Sequence, residues 1–209
     1  MRETPDLTPD DAADAEVKRI AGGAVGTAVF LLGLGAVWWV YSIVYALTTL
    51  PHGNPEYLNT SEGFSLPWQM PFAVFAIPCA VAALALLITG MRLQRPRESA
   101  WLYTDLSAQG LIVCASAGMG LWVGPALTQG ADPITALGEA VSMLVFPGFP
   151  FWLMVIYGWR LRNALWRPSV IQTCGAQATP NGVRRRLQTL LLITAGTVAG
   201  AIGGLTSWK

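Results

Sequence analysis

The sequence predicts an all-α integral membrane protein, a bundle of five transmembrane helices with its N-terminus in the cytoplasm and its C-terminus outside. Only 12% of the 209 residues are charged and 53% are apolar, whereas soluble domains carry about 25% charged residues. Five apolar segments approach the length that crosses a bilayer. The basic residues flank these segments on alternate sides, as they do in multi-pass proteins.

Residues 1–19 form the predicted cytoplasmic N-terminal segment. Thr8 provides a hydroxyl cap, Pro9 suits the first helical position, and Asp10 places an acid beside the positive helix end. We expect a helix to begin here and to run through Arg19 into the membrane. The segment is acidic and the apolar run after it is long, so neither resembles a cleavable signal peptide.

The rest of the chain, residues 20–209, forms the predicted transmembrane bundle. A helix needs roughly 20 residues to cross the hydrocarbon core. The first apolar segment exceeds this length, so it is expected to tilt or to project beyond the lipid. The predicted spans are residues 20–47, 70–90, 106–123, 140–159 and 187–206.

The basic residues predict the orientation of the spans. Twelve of the 13 lysines and arginines lie at the N-terminus, after the second span, or between the fourth and fifth spans. The opposite loops, 48–69 and 124–139, contain none, and only Lys209 departs from the pattern. The positive-inside rule therefore places the N-terminus inside and the C-terminus outside, which requires an odd number of spans.

The cytoplasmic loop 160–186 is the most basic segment of the chain. We expect residues 159–167 to continue the fourth span as an interfacial helix. The arginines of the loop are predicted either to anchor the bundle at anionic headgroups or to dock a cytoplasmic partner. They are Arg160, Arg162, Arg167, Arg184, Arg185 and Arg186.

A row of glycines marks the fifth span. Gly196, Gly200 and Gly204 are spaced by four residues, so they share one helix face on which another backbone can approach closely. This face is predicted to pack either within the bundle or against another subunit.

Prolines interrupt the second and fourth spans. Pro147, Gly148 and Pro150 lie together in the fourth span, and Pro78 lies at a similar depth in the second. Proline removes a backbone donor and kinks or breaks a helix. These residues predict either ordinary kinks or the broken helices of a transport site.

A weak internal repeat is compatible with tandem hairpins. Gly33-Leu34-Gly35 resembles Gly118-Met119-Gly120, and Gly90-Met91-Arg92-Leu93 resembles Gly158-Trp159-Arg160-Leu161. Spans one and two would then correspond to spans three and four, with the fifth helix appended. Chance similarity of composition is the alternative.

Few ionisable groups lie within the predicted spans. Asp105 and Glu139 are predicted to cap helix starts, where an acid faces the positive helix end. Trp101, Trp159 and Trp166 are expected at the inner interface, which indole prefers.

The sequence predicts no metal and no cofactor. Cys79, Cys114 and Cys174 form no C-x-x-C pair, so they are expected to be packing residues. His52 is the only histidine, which excludes a haem held by two histidines and a multi-histidine metal site.

The function that these features favour is that of a non-enzymatic accessory or structural subunit, associating through small-residue helix faces. Its expected partners are membrane lipid and other membrane subunits or a second copy, without nucleic acid, because the net charge is only +1. No nucleophile, metalloprotease or phosphate-loop motif is present. A small-solute transporter or channel is the first alternative, and an enzyme acting on lipid near Asp105 is the second.

The composition also indicates a source. Two lysines against eleven arginines, with abundant alanine and glycine, are typical of a high-GC bacterial genome. We therefore expect the protein in the cytoplasmic membrane of a bacterium.

Overall fold

The structure, a computed structural model, describes residues 9–49, 66–129, 132–145, 149–178 and 182–207. These residues form seven helices and no strand, which confirms the predicted all-α class. The helices are α1 (Pro9–Thr49), α2 (Leu66–Leu93), α3 (Glu98–Gln129), α4 (Pro133–Val145), α5 (Phe149–Leu165), α6 (Pro168–Thr173) and α7 (Gly182–Ser207).

Two of the described helices are long and apolar enough to cross a membrane. They cover Asp11–Val37 within α1 and Gly182–Leu205 within α7, and Ile77–Leu93 in α2 is a shorter apolar helix. Five spans, their orientation and the tandem repeat stay predictions.

The first helix, α1, joins the N-terminal segment to the first predicted span without a break. It has 41 residues and is therefore about 60 Å long. It packs on α2 through small residues. A Cβ atom added at Gly90 would lie 3.1 Å from the Cβ of Ala24, so a larger side chain there would push the two helices apart.

The central helix is α3, which packs against α2, α4, α5 and α7. It begins at Glu98, eight residues before the predicted span, and the backbone N–H of Trp101 already donates to the Arg97 carbonyl at 3.0 Å. Asp105 therefore lies inside the helix, and the prediction that it caps the start of this span is wrong. The side chain of Glu139 lies outside the described residues.

The predicted fourth span contains parts of two described helices, α4 and α5. α4 ends at Val145 and α5 begins at Phe149. Pro147 and Gly148, which were predicted to interrupt this span, lie outside the described residues. The chain resumes as a helix through Pro150, where a missing backbone donor is tolerated because the first turn has no intrahelical acceptor to satisfy.

The segment between α5 and α7 folds back on α1. α5 ends at Leu165, and the short helix α6 then packs against α1. Ser169 donates a hydrogen bond to Glu16 at 2.8 Å, and Arg167 forms an ion pair with the same carboxylate. Val170, Ile171 and Cys174 are buried in the same core as the start of α1.

The loop turns away after α6 at Gly175. This residue has φ 66°, a left-handed conformation that glycine adopts without a steric penalty, and the Ala176 N–H donates to the Ile171 carbonyl at 3.0 Å. Burial raises the pKa of the neighbouring Cys174 thiol above its ordinary value. Cys174 is therefore a packing residue of this loop, with little thiolate at neutral pH.

Candidate functional site

A buried ion pair joins α3 to α5. Arg162 Nε donates to Asp105 Oδ1 at 3.0 Å, and the second contact, from Nη2 to Oδ2, is longer at 3.5 Å. The two side chains are only 1% and 4% exposed. Charges are removed from water at a large cost unless they are paired and hydrogen-bonded. These contacts supply that pairing.

The Asp105 carboxylate receives two further donors. Trp166 Nε1 donates to Oδ1 at 3.0 Å, and Gln109 Nε2 donates to Oδ2 at 2.7 Å. Gln109 lies one helical turn after Asp105, so α3 itself brings these two side chains to one face. The carboxylate is thus enclosed by hydrogen-bond donors from α3, α5 and the residue that follows α5.

The guanidinium of Arg162 also reaches α7. Its Nη1 donates to Thr189 Oγ1 at 2.8 Å, and the Thr189 hydroxyl donates to the Arg185 carbonyl at 3.0 Å. The network of Asp105, Gln109, Arg162, Trp166 and Thr189, which we name the arginine network, therefore connects three helices at one end of the bundle.

Two tryptophans close the network on one side. Trp101 and Trp166 pack edge to face, with ring centroids 5.1 Å apart. Trp101 Nε1 donates to the Leu165 carbonyl at 2.8 Å, at the point where α5 ends. Trp101 is buried, so it packs inside the protein and not at the lipid interface where it was predicted. Trp159 is exposed.

A second arginine lies beside the arginine network. Arg185 is within electrostatic range of both Arg162 and Asp105. The Nε of Arg185 is buried and has no hydrogen-bond partner among the described residues. The Asp105 oxygens are occupied by neighbours, which leaves this buried carboxylate poorly placed to act as an acid or base on a substrate.

The six predicted anchoring arginines do not form one group. Arg160, Arg184 and Arg186 are exposed, as a headgroup contact requires, and Arg185 is half-buried. Arg167 pairs with Glu16 on α1. Arg162 departs from the prediction, because it is buried inside the bundle and bound to Asp105.

The sequence contained a signal for this pairing that was missed. Asp105 and Arg162 carry opposite charges, and both lie near predicted cytoplasmic ends of spans. Asp105 directly precedes the third span, and Arg162 follows the fourth. The predicted helix over residues 159–167 agrees with the end of α5 at Leu165, but its arginines were assigned to headgroups or a cytoplasmic partner and not to a buried partner in the bundle.

The glycine row of α7 packs against α3 of the same chain. A Cβ atom at Gly196 would lie 2.8 Å from the Val113 carbonyl oxygen, and one at Gly200 would overlap the Ala117 carbonyl. Gly204 is also buried. These glycines therefore pack within the chain, which is the first of the two predicted alternatives. Their face is not open to another subunit.

Helix α3, which faces this glycine row, also has glycines where the two backbones approach closely. A Cβ atom at Gly120 of α3 would overlap the Thr197 carbonyl, and one at Gly124 would lie 2.5 Å from the Ala201 carbonyl. Small residues on both helices thus let the two backbones touch.

The prolines do not meet at a described site. Pro78 is exposed on α2. Pro150 is the second residue of α5, and its side chain is not among those described. Within the described part of the chain, no three His, Cys, Asp or Glu side chains group in a way that would hold a metal ion. His52 lies outside that part.

Comparisons with known proteins do not assign a function to this site. The chain matches no protein-family model, no curated protein and no solved structure.

Proposed function

We propose that the chain is a non-enzymatic, multi-pass subunit of the bacterial cytoplasmic membrane, and that it associates with another transmembrane helix through an exposed glycine face on α1. This face consists of Gly22, Gly26, Val29 and Gly33. Its exposure is the observation that carries the proposal.

Support for a membrane location comes from the outward surfaces of the helices. Large apolar side chains are exposed along α1, α2, α5 and α7, where water would penalise them and lipid would not. Examples are Phe30, Val37, Val81, Leu153 and Leu191. In this arrangement α4 and α5 together supply the fourth crossing, and the arginine network lies at its cytoplasmic end.

The glycine face differs from the covered glycines of α7. A Cβ atom at Gly22, Gly26 or Gly33 would meet no atom of the described residues within 4 Å, so packing among those residues does not require glycine at these positions. Offsets of four and seven residues keep the three on one side of α1. Glycine costs a helix interior about 1 kcal/mol relative to alanine. Close approach of a second helix explains this cost, and contact with lipid does not.

The non-enzymatic part of the proposal is supported by the arginine network. Arg162 donates to both Asp105 and Thr189, and these bonds hold α3, α5 and α7 in register. Such a cluster stabilises a bundle without offering a reacting group to a substrate.

A cross-linking experiment tests the glycine face. A photoreactive amino acid at Val29 should give a discrete cross-linked product in native membranes, and the same amino acid at Leu191 on α7 should not. Replacing Gly26 with Leu should abolish the Val29 product, because the added side chain holds the second helix away. The mass of the product separates a second copy from a different subunit.

Equal products from positions 29 and 191, or a Val29 product that survives Gly26→Leu, would contradict the proposed face. Recovery of a lone monomer in mild detergent, with no cross-linked partner, would do the same.

The predicted topology is tested separately with reporter fusions. Reporters placed within residues 48–69 should be active only outside the cytoplasm, and reporters within residues 160–186 only inside it, because arginine is costly to move across the bilayer. The same compartment for both segments would contradict the five-span topology without bearing on the glycine face.

A transporter or channel component remains the second candidate function. The observation that favours it is that the two helices adjoining Pro147, α4 and α5, both pack on α3. Proline-broken helices place irregular backbone beside a central site in transporters. Solute flux into proteoliposomes that is lost in Pro147→Ala and Pro150→Ala would favour this candidate over the subunit.

A further inference from the structure

Arg185 of α7 has a buried donor that no described residue accepts. Its backbone carbonyl accepts from the Thr189 hydroxyl, but its Nε has no hydrogen-bond partner. The Arg185 side chain also takes part in none of the ion pairs found among the described residues. A guanidinium group carries five N–H donors and stays charged in proteins. Native structures commonly satisfy such a buried donor with water or a bound ion.

The carboxylate that attracts Arg185 is already committed elsewhere. Asp105 lies within electrostatic range of Arg185, but its oxygens accept hydrogen bonds from three side chains of the arginine network. The other charged groups that act on Arg185 are Arg162 and Arg186, and both repel it. An anion from outside the chain would therefore offset a repulsion between like charges and supply the missing acceptor.

Arg185 and Arg186, which we name the arginine pair, lie where an external ligand can reach them. Arg186 is exposed and Arg185 is half-buried, so the ligand does not have to enter the core. Side chains of a helix lean toward its N-terminus, so both arginines extend toward the start of α7.

We propose that the arginine pair binds the phosphate group of an anionic phospholipid. Phosphate oxygens accept two parallel N–H···O bonds from one guanidinium group, which gives arginine its preference for this ligand. The Nε of Arg185 is covered in this structure, so a fork that includes Nε requires the side chain to turn outward. Repulsion from Arg162 favours that movement, and basic residues beside transmembrane helices bind anionic headgroups on the cytoplasmic side.

An apolar stripe on α7 favours a lipid over a free phosphate. Val183, Leu187, Leu190 and Leu191 are each more than half exposed. Their offsets of four, seven and eight residues keep them on one face of the helix, which begins at the level of the arginine pair. Acyl chains can lie along this face while the headgroup stays at the helix start. This step rests on the membrane location in the proposed function and not on the glycine face of α1.

Binding of phosphatidylglycerol to the delipidated full-length protein in detergent tests the proposal. Phosphatidylglycerol has a net negative charge, whereas phosphatidylethanolamine with the same acyl chains also carries an ammonium group that the arginines repel. Native mass spectrometry should show phosphatidylglycerol retained in preference to phosphatidylethanolamine. Arg185→Gln should weaken the binding of phosphatidylglycerol by roughly tenfold, because it removes hydrogen bonds to a charged group.

Arg160→Gln is the matched control, because Arg160 is exposed on α5 and its replacement changes the net charge by the same amount. It should leave the binding of phosphatidylglycerol nearly unchanged. Arg185→Lys replaces the glutamine variant if that variant does not fold. Lysine keeps the charge but lacks the fork, so this variant should also bind phosphatidylglycerol more weakly than the unmodified protein.

Thermal unfolding provides a readout that separates binding from folding. Without added lipid, Arg185→Gln should be at least as stable as the unmodified protein, because it removes a charge that Arg162 and Arg186 repel. Added phosphatidylglycerol should raise the unfolding midpoint of the unmodified protein and of Arg160→Gln, since a ligand stabilises the state that binds it. The same lipid should raise the midpoint of Arg185→Gln much less.

Inorganic phosphate distinguishes the two sources of the phosphate group. An excess of it should displace no more phosphatidylglycerol than chloride does at the same ionic strength, because it lacks acyl chains. Greater displacement would show a site for free phosphate and would overturn the assignment to lipid. Equal retention of the two lipids, or equal losses in the Arg185 and Arg160 variants, would overturn the site itself. None of these outcomes affects the Val29 cross-link, which tests the glycine face.

Discussion

Replacing Asp105 with Ala is expected to destabilise the protein by about 3–5 kcal/mol, the cost of leaving one charge of a buried pair without its partner. Arg162 would keep its positive charge on a side chain that is 1% exposed and, among the described residues, would retain the Thr189 hydroxyl as its one acceptor. The measurement is the unfolding transition of the purified protein in detergent, followed by tryptophan fluorescence, since Trp166 donates to the same carboxylate.

Glu16→Gln is the control for this prediction. The ion pair of Glu16 with Arg167 is solvent-accessible, with side chains 22% and 52% exposed. Exposed pairs contribute about 0–1 kcal/mol, so this change should shift the transition little. The double variant Asp105→Leu with Arg162→Met should recover much of the loss, because an apolar pair removes both charges together. Equal effects of Asp105→Ala and Glu16→Gln would show that the arginine network is not buried as described.

The second large effect is expected at the contact between α3 and α7. Gly200→Ala places a Cβ atom against the Ala117 carbonyl, and Gly120→Ala does the same against the Thr197 carbonyl. Backbone atoms cannot move aside as a flexible side chain can, so the two helices must separate. Overpacking of this kind costs about 1–3 kcal/mol and occasionally more, and we expect the upper end of this range for both variants in the same unfolding measurement.

Gly203→Ala is the matched control on α7. A Cβ atom there would lie 3.9 Å from the Leu121 Cδ1 atom, an ordinary contact. Alanine also favours the helix over glycine by about 1 kcal/mol, so this variant should be neutral or slightly more stable. If Gly200→Ala proves as mild as Gly203→Ala, α7 does not pack on α3 through its glycine row.

The glycine rows show how far a pattern in the sequence can be interpreted. Spacing by four predicted that Gly196, Gly200 and Gly204 share a face, and the structure covers that face with α3. The row at Gly22 and Gly26 has the same spacing, yet no described residue covers it. Spacing alone cannot separate these cases, because it describes one helix and not its neighbour.

Arg162 illustrates the same limit for charge. Its place in a run of basic residues predicted a contact with lipid headgroups or a cytoplasmic partner, as it did for Arg160 two positions earlier. The two arginines point to different sides of α5, so Arg160 is exposed and Arg162 meets Asp105. The partner lies 57 residues away along the chain, beyond any local pattern.

The sequence by itself determined the helical class, because hydropathy and helix propensity act between residues that are close along the chain. Tertiary structure alone decided which glycine row is covered and that Arg162 pairs with Asp105. Each of these outcomes depends on contacts between different helices. Such contacts are set by distance in space and not by separation along the chain.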